Sequence, residues 1–206
     1  MQRSRISWLY WLIFVGCVVL SILLNLSWPG KPPQDMSALL RDNWFLWGFN
    51  YFGILLTAMA ALIIDDARRK NIRWPFYLVP YFVIGILPLS IYMARRPARD
   101  LVQRQTPRML EWRWVWWLLL IAAVAVTIIF IPRGSLAQLI DTMRQNLGLS
   151  FMWLDIALNH VVALPLAQAD MQRRNVVNQT PWLIAILLTG PFALCAYLAT
   201  RPSARK

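Results

Sequence analysis

Six runs of apolar residues, each about as long as a bilayer is thick, limit what this chain can fold into. They are Trp8–Trp28, Trp44–Ile64, Phe76–Met93, Val115–Ile131, Leu149–Ala167 and Trp182–Thr200. A helix needs about 20 mostly apolar residues to cross hydrocarbon. Five of the runs hold no charged residue, and the fifth holds only Asp155. Tryptophan and tyrosine gather at the ends: Trp8, Tyr10 and Trp11; Trp44 and Trp47; Trp112, Trp114, Trp116 and Trp117. Rings with one polar edge sit at the membrane–water boundary, so this is the expected aromatic belt. Composition bears on the alternative of a soluble helical core. The chain is 59% apolar and 15% charged, against about 45–50% and about 25% in soluble domains. Too few polar faces remain to cover such helices with water.

The net charge of +12 would suggest nucleic acid in a soluble protein. Here the cations lie in short loops beside the apolar runs, as in the Asp65-Asp66-Ala67-Arg68-Arg69-Lys70 stretch and at Arg95-Arg96-Pro97. That is where topology signals and contacts to anionic headgroups belong. The expected partners are membrane lipids and, beyond them, a larger membrane complex, with no nucleic acid and no nucleotide. Cys17 and Cys195 each fall inside an apolar run and read as small packing residues rather than a disulfide. The N-terminal run resembles a secretory signal, but it is long and Ser27-Trp28-Pro29-Gly30 makes a poor cleavage site. It is therefore expected to be a retained helix.

The sequence also resembles itself. At a shift of 105 residues, Gly85, Leu89, Tyr92, Ala94, Arg96 and Pro97 fall on Gly190, Leu194, Tyr197, Ala199, Arg201 and Pro202. The same shift sets Asp65 on Asp170, Arg68 and Arg69 on Arg173 and Arg174, and Trp11 on Trp116. Each unit reads as long helix, loop, helix, acidic–basic turn, proline-bounded helix and Arg-Pro. Three spans per unit is an odd number, so the second unit must enter from the opposite side. An additional crossing between the units is ruled out by Arg95, Arg96, Arg99, Arg104, Arg108 and Arg113, since each arginine costs about 2.5–3.5 kcal/mol at a membrane centre. The expected fold is an all-α integral membrane protein, with six transmembrane helices forming two inverted three-helix repeats. Residues 1–97 make the first repeat, 98–111 a basic linker and 112–206 the second. Lysines and arginines divide almost evenly between the two sides, so the positive-inside rule assigns no orientation.

Polar groups inside hydrocarbon are costly and mark candidate sites. The fifth run holds Asp155, Asn159 and His160, with Asp155 and Asn159 four apart on one helix face. The 105-residue shift pairs Asp155 with Asn50. In an inverted pair those positions would be related by the pseudo-two-fold axis, where such folds place their ligands. Asn50, Asp155, Asn159 and His160 are therefore the candidate ligand-binding residues. Each also has a plainer reading. An asparagine in a membrane helix can simply bond a neighbouring helix, and a lone histidine is more often a packed, hydrogen-bonded residue than a ligand. The acidic–basic turns read as interfacial charge clusters. Pro75, Pro80, Pro88, Pro165 and Pro191 suggest kinks or interrupted helices. There is no metal-binding Cys/His set, no glycine-rich phosphate loop and no nucleophile elbow.

The acidic–basic turn followed by Trp74-Pro75, Gly85, Pro88-Leu89 and Tyr92 resembles a small three-helix bacterial membrane domain of unknown function, common in cyanobacteria. Here it occurs in tandem over nearly the whole chain. Trp153-Leu154-Asp155 with Gly190-Pro191 is similar to the last two helices of the neoxanthin-synthase-like membrane family. That second resemblance covers about one unit and lacks several of the family's turn residues. It implies a link to carotenoids or isoprenoids, in a bacterial inner membrane or a thylakoid membrane. No cofactor is required by the sequence, although a carotenoid or tetrapyrrole would suit it. Three functions remain open. One is a non-catalytic protein that binds lipid, carotenoid or pigment, or assists assembly of a membrane complex. Another is a small inverted-repeat carrier or channel. The third is a membrane enzyme acting on an isoprenoid-like substrate, with Asp155 and His160 as acid–base candidates.

Overall fold

A computed structural model describes residues 7–26, 41–102, 105–130 and 147–203, with 137, 139, 140 and 143 between them. Ser27–Gly30 and the loop cations Arg3, Arg5, Lys31, Arg104, Arg133, Arg144, Arg205 and Lys206 lie outside the described residues. Within them the chain is helical, with no β-strand. The helices are α1 (Ser7–Leu26), α2 (Asn43–Arg69), α3 (Pro75–Ile84), α4 (Ile86–Arg95), α5 (Arg113–Phe130), α6 (Leu147–Arg173), α7 (Gln179–Thr189) and α8 (Pro191–Thr200), with a 3-10 turn at Arg108–Glu111. Among the described helices α2, α5 and α6 are long and apolar enough to cross a membrane.

Local chemistry sets the helix ends. Asp42 caps α2, its Oδ1 accepting from Phe45 N at 2.8 Å. The far end closes on Asn71, whose φ of 54° is left-handed. Ile72 N donates to Ala67 O at 2.8 Å and Asn71 N to Arg68 O at 3.4 Å, the paired bonds of a Schellman closure. The end of α6 repeats this at Asn175, with φ 53°, Val176 N to Met171 O at 3.0 Å and Asn175 N to Gln172 O at 3.2 Å. Asparagine tolerates the left-handed region better than most residues with a Cβ.

The third and sixth apolar runs are not continuous helices. Gly85, at φ 74° and ψ −134°, separates α3 from α4. Gly190, at φ 53° and ψ −112°, separates α7 from α8. Each piece has 10 or 11 residues, about 15 Å of helix and half the hydrocarbon thickness. Only glycine enters these conformations without strain.

The chain divides into two compact units, one of residues 1–31 with 60–107 and the other of residues 32–59 with 108–205. In the first, α1 packs on α4, and α3 on α4. Its core includes Leu62, Ile63, Tyr81, Leu89, Tyr92 and Met93. In the second, α8 packs on α5 and α7, and α6 on α7, around Leu149, Val162, Leu166, Ile186, Leu194 and Tyr197.

Candidate functional site

In each unit, a buried aspartate in the last turn of a long helix holds together the segments around it. In the first unit Asp66 is 1% exposed. It accepts hydrogen bonds from the hydroxyl of Tyr92 and from Arg96 Nη2, the latter at 3.1 Å. Beside it, Lys70 Nζ meets Asp100 Oδ1 at 3.2 Å. Burial pulls the Lys70 ammonium below the usual lysine value; Asp66 and Asp100 oppose this and Arg96 adds to it. Asp65 pairs with Arg69 Nε at 3.1 Å, and Arg69 Nη2 reaches Thr106 Oγ1 at 2.9 Å. The backbone amides of Leu101 and Val102 both bond to Arg69 O, so the first part of the basic linker is fastened to this helix end.

In the second unit Asp170 plays the corresponding part. Tyr197 donates to its Oδ2 at 2.6 Å, Arg201 Nη1 to Oδ2 at 2.9 Å, and Arg174 Nε to both oxygens at 3.0 Å. Arg174 also binds Glu111 Oε1 at 2.6 Å and Pro202 O at 2.7 Å, and Arg201 Nη2 binds Leu110 O at 2.8 Å. Burial opposes the Arg174 charge, but the bonds from Glu111 and the Asp170 carboxylate more than offset it and hold the guanidinium firmly protonated.

These contacts adjust the self-alignment read from the sequence. Asp66, not Asp65, matches Asp170 at a shift of 104, whereas Tyr92 and Arg96 match Tyr197 and Arg201 at 105. The extra residue lies in the following helix, since α7 has 11 residues and α3 has 10, while the turns 70–74 and 174–178 are equal in length. In that register Asp155 falls opposite Tyr51, and Asn50 opposite Leu154. The equivalence of Asn50 and Asp155 therefore drops out.

The four candidate residues resolve into separate arrangements. Asn50 Nδ2 turns back along its own helix to Leu46 O at 2.8 Å. Asn159 is fully buried, and its Nδ2 donates to Asp155 O at 2.8 Å and Asp155 Oδ1 at 3.4 Å. His160 lies at the Gly190 break. A continuous helix would give Leu187 O an amide four residues on, but that residue is Pro191, which has no N–H. His160 Nδ1 takes its place, 3.2 Å from Leu187 O. Tyr51 donates to Thr189 O at 3.0 Å, and its oxygen lies 3.1 Å from His160 Nε2. A carbonyl only accepts, so Nδ1 carries a proton. With the imidazole neutral, the single Tyr51 proton is shared between Nε2 and Thr189 O; with it charged, all three bonds form. Trp47 and Phe192 ring Tyr51, at 5.1 and 5.9 Å between centroids, and Trp47 lies 5.3 Å from Trp153. The buried Trp153 Nε1 has no hydrogen-bond partner.

Tyr51, Tyr92 and Tyr197 are the residues the sequence reading passed over. For the last two the signal was present, because they coincide in the self-alignment beside Arg96 and Arg201. Among the described residues no group of three or more His, Cys, Asp or Glu is placed to hold a metal. Comparison of the chain with protein-family models, with curated proteins and with solved structures finds no match.

Proposed function

We propose that this chain is an integral membrane protein of six membrane segments, two of them discontinuous, arranged as two three-helix units inserted in opposite orientations. Its role in this reading is non-catalytic: it holds a lipid, carotenoid or pigment, or helps assemble a larger membrane complex. One observation carries this reading. The buried charges among the described residues, Asp65, Asp66, Lys70, Asp170, Arg174 and Arg201, are paired internally, while the outward surface is apolar. Only 11% of the α5 span is buried, and Trp114, Trp117, Leu118, Ile121, Ile128 and Ile129 face outward from it. Such a surface suits lipid, a hydrophobic ligand or a neighbouring membrane subunit. The aromatic cluster of Trp47, Tyr51, Trp153 and Phe192, with the free Trp153 N–H, is where a conjugated ligand carrying an oxygen would fit.

The test is to purify the protein in mild detergent from a bacterial membrane that makes carotenoids. Expected are resistance to alkaline carbonate extraction, visible absorbance or a copurifying hydrophobic molecule by mass spectrometry, and loss of that molecule in Trp153→Phe. Protein released by carbonate would overturn the membrane reading. A membrane-embedded protein with no bound hydrophobic molecule and no partner would overturn the role.

The Gly190 break favours a second reading, a small carrier. Interrupted helices with free backbone ends form the substrate sites of many inverted-repeat carriers. Flux of a small solute into proteoliposomes, abolished by His160→Ala, would support it over the first.

A further inference from the structure

The first acidic–basic turn borders an open surface cavity of about 510 Å³ lined by Arg68, Asn71, Arg73, Trp74 and Phe76, with no carboxylate in its wall. Its two guanidiniums differ from the other cations of this turn. Arg69 and Lys70 are consumed by Asp65 and Asp100. Arg68 and Arg73 make no side-chain hydrogen bond or ion pair among the described residues, and the buried Arg68 Nε has no partner. Two unpaired cations lining one cavity form a site for an anion. Guanidinium presents several N–H groups in one plane, which suits the oxygens of a phosphate.

The surroundings point to a phosphate with an apolar tail. From the cavity rim, Phe76, Val79 and Val83 run along one face of α3 and are 70, 63 and 81% exposed. They are spaced three and four residues apart, a continuous apolar stripe on a helix. Trp74, at the mouth, is of the type that sits at headgroup level. We propose that this cavity binds the phosphate of an anionic membrane lipid, with one acyl chain lying along the α3 stripe.

The second turn provides an internal control. Counted from the matching left-handed residues Asn71 and Asn175, Arg68 corresponds to Gln172 and Arg73 to Val177. The second turn keeps the same closure and the same Asp–Tyr–Arg lock but has neither free arginine. Headgroup binding is therefore assigned to the first turn alone. It rests on the membrane placement proposed above, and on no particular hydrophobic ligand elsewhere.

The experiment is native mass spectrometry of the full chain in neutral detergent, titrated with phosphatidylglycerol, with diacylglycerol of the same chains, and with inorganic phosphate as competitor. One phosphatidylglycerol is expected to bind tightly and diacylglycerol far more weakly. The variant Arg68→Gln/Arg73→Val, which gives the first turn the residues of the second, should lose about thirtyfold in affinity, and Arg73→Val alone about fivefold. Arg73 is exposed, so the single variant tests the site even if the double variant fails to fold. Equal binding by Arg73→Val and the parent chain would overturn the site. Displacement of phosphatidylglycerol by millimolar inorganic phosphate would overturn the lipid assignment in favour of a free anion. Carbonate extraction of the parent chain reads the membrane placement separately, so failure of that reading is distinguishable from failure of this one.

Discussion

Replacing Asp170 by asparagine removes one charge and almost no volume, and its cost can be worked from the contacts. The carboxylate accepts from Tyr197 at 2.6 Å, from Arg201 at 2.9 Å and twice from Arg174 at 3.0 Å, at a site where Asp170 is 2% and Arg201 4% exposed. After the change Arg174 keeps Glu111 and Pro202 O. Arg201 keeps Leu110 O and a distant Glu111 oxygen at 3.9 Å. A largely uncompensated guanidinium then remains in a water-poor site, and breaking a buried pair in this way costs about 3–5 kcal/mol. Melting temperature should fall by roughly 6–20 °C, at about 2–4 °C per kcal/mol for a chain of this size. Tyr197→Phe deletes one hydrogen bond to a charged group and should cost about 1.5–3 kcal/mol. Glu111→Gln, whose side chain is 26% exposed, should cost less, about 1 kcal/mol. The assay is size-exclusion chromatography after heating in detergent, read by tryptophan fluorescence. The order Asp170→Asn, Tyr197→Phe, Glu111→Gln carries the claim. An Asp170→Asn protein as stable as Glu111→Gln would refute the view that this aspartate is the keystone of the unit.

Two further outcomes can be checked with the same preparation. Gly190→Ala should be strongly destabilised, because its φ is 53° and the new Cβ would overlap His160 Nε2 and approach Tyr51 Oη to 2.7 Å; adding His160→Ala should recover the steric part but not the backbone strain, and full recovery would show that the conformation costs nothing. Single cysteines at Arg73 and Val177, the exposed positions just past the two turns, should, after replacement of Cys17 and Cys195, be labelled by impermeant maleimide from opposite faces of the membrane, and labelling of both from one face would overturn the opposed orientation of the units.

The apolar runs and the places of the acidic–basic turns were legible because each follows from local composition. The interruption of the third and sixth runs was less so. Prolines were visible, but the breaks fall at Gly85 and Gly190, and a glycine in an apolar run looks the same whether it packs a helix or ends one. The acidic–basic turns were read as interfacial charge clusters, since a run of Asp and Arg gives no sign of being buried. Only the fold brings Tyr92 and Tyr197 onto them from helices more than 20 residues away. The pairing of Asn50 with Asp155 failed for a simpler reason. A gapless shift absorbed a one-residue difference in length between α3 and α7, and a single residue turns a helix by about 100°, enough to exchange Asn50 for Tyr51. Tyr51 is the residue that reaches His160.

The two turns together separate what holds the molecule from what it presents to its surroundings. The left-handed asparagine, the buried aspartate, the tyrosine that donates to it and the arginine just before proline occur in both units. A feature that holds such a turn together should occur at each such turn, and these do. In the second unit Arg174 stands in place of Lys70 and grips the aspartate with two bonds while also holding Glu111. In the first unit Lys70 turns to Asp100, and the linker closes over Arg69. Arg68 and Arg73, by contrast, occur in one unit only and satisfy no internal group. Desolvating part of the Arg68 guanidinium without a partner is unfavourable, and that cost is what the proposed anion would offset. The same reasoning sets His160 apart from Asp170: at the 104-residue shift it falls on Leu56, and it serves the Leu187 carbonyl of one break alone.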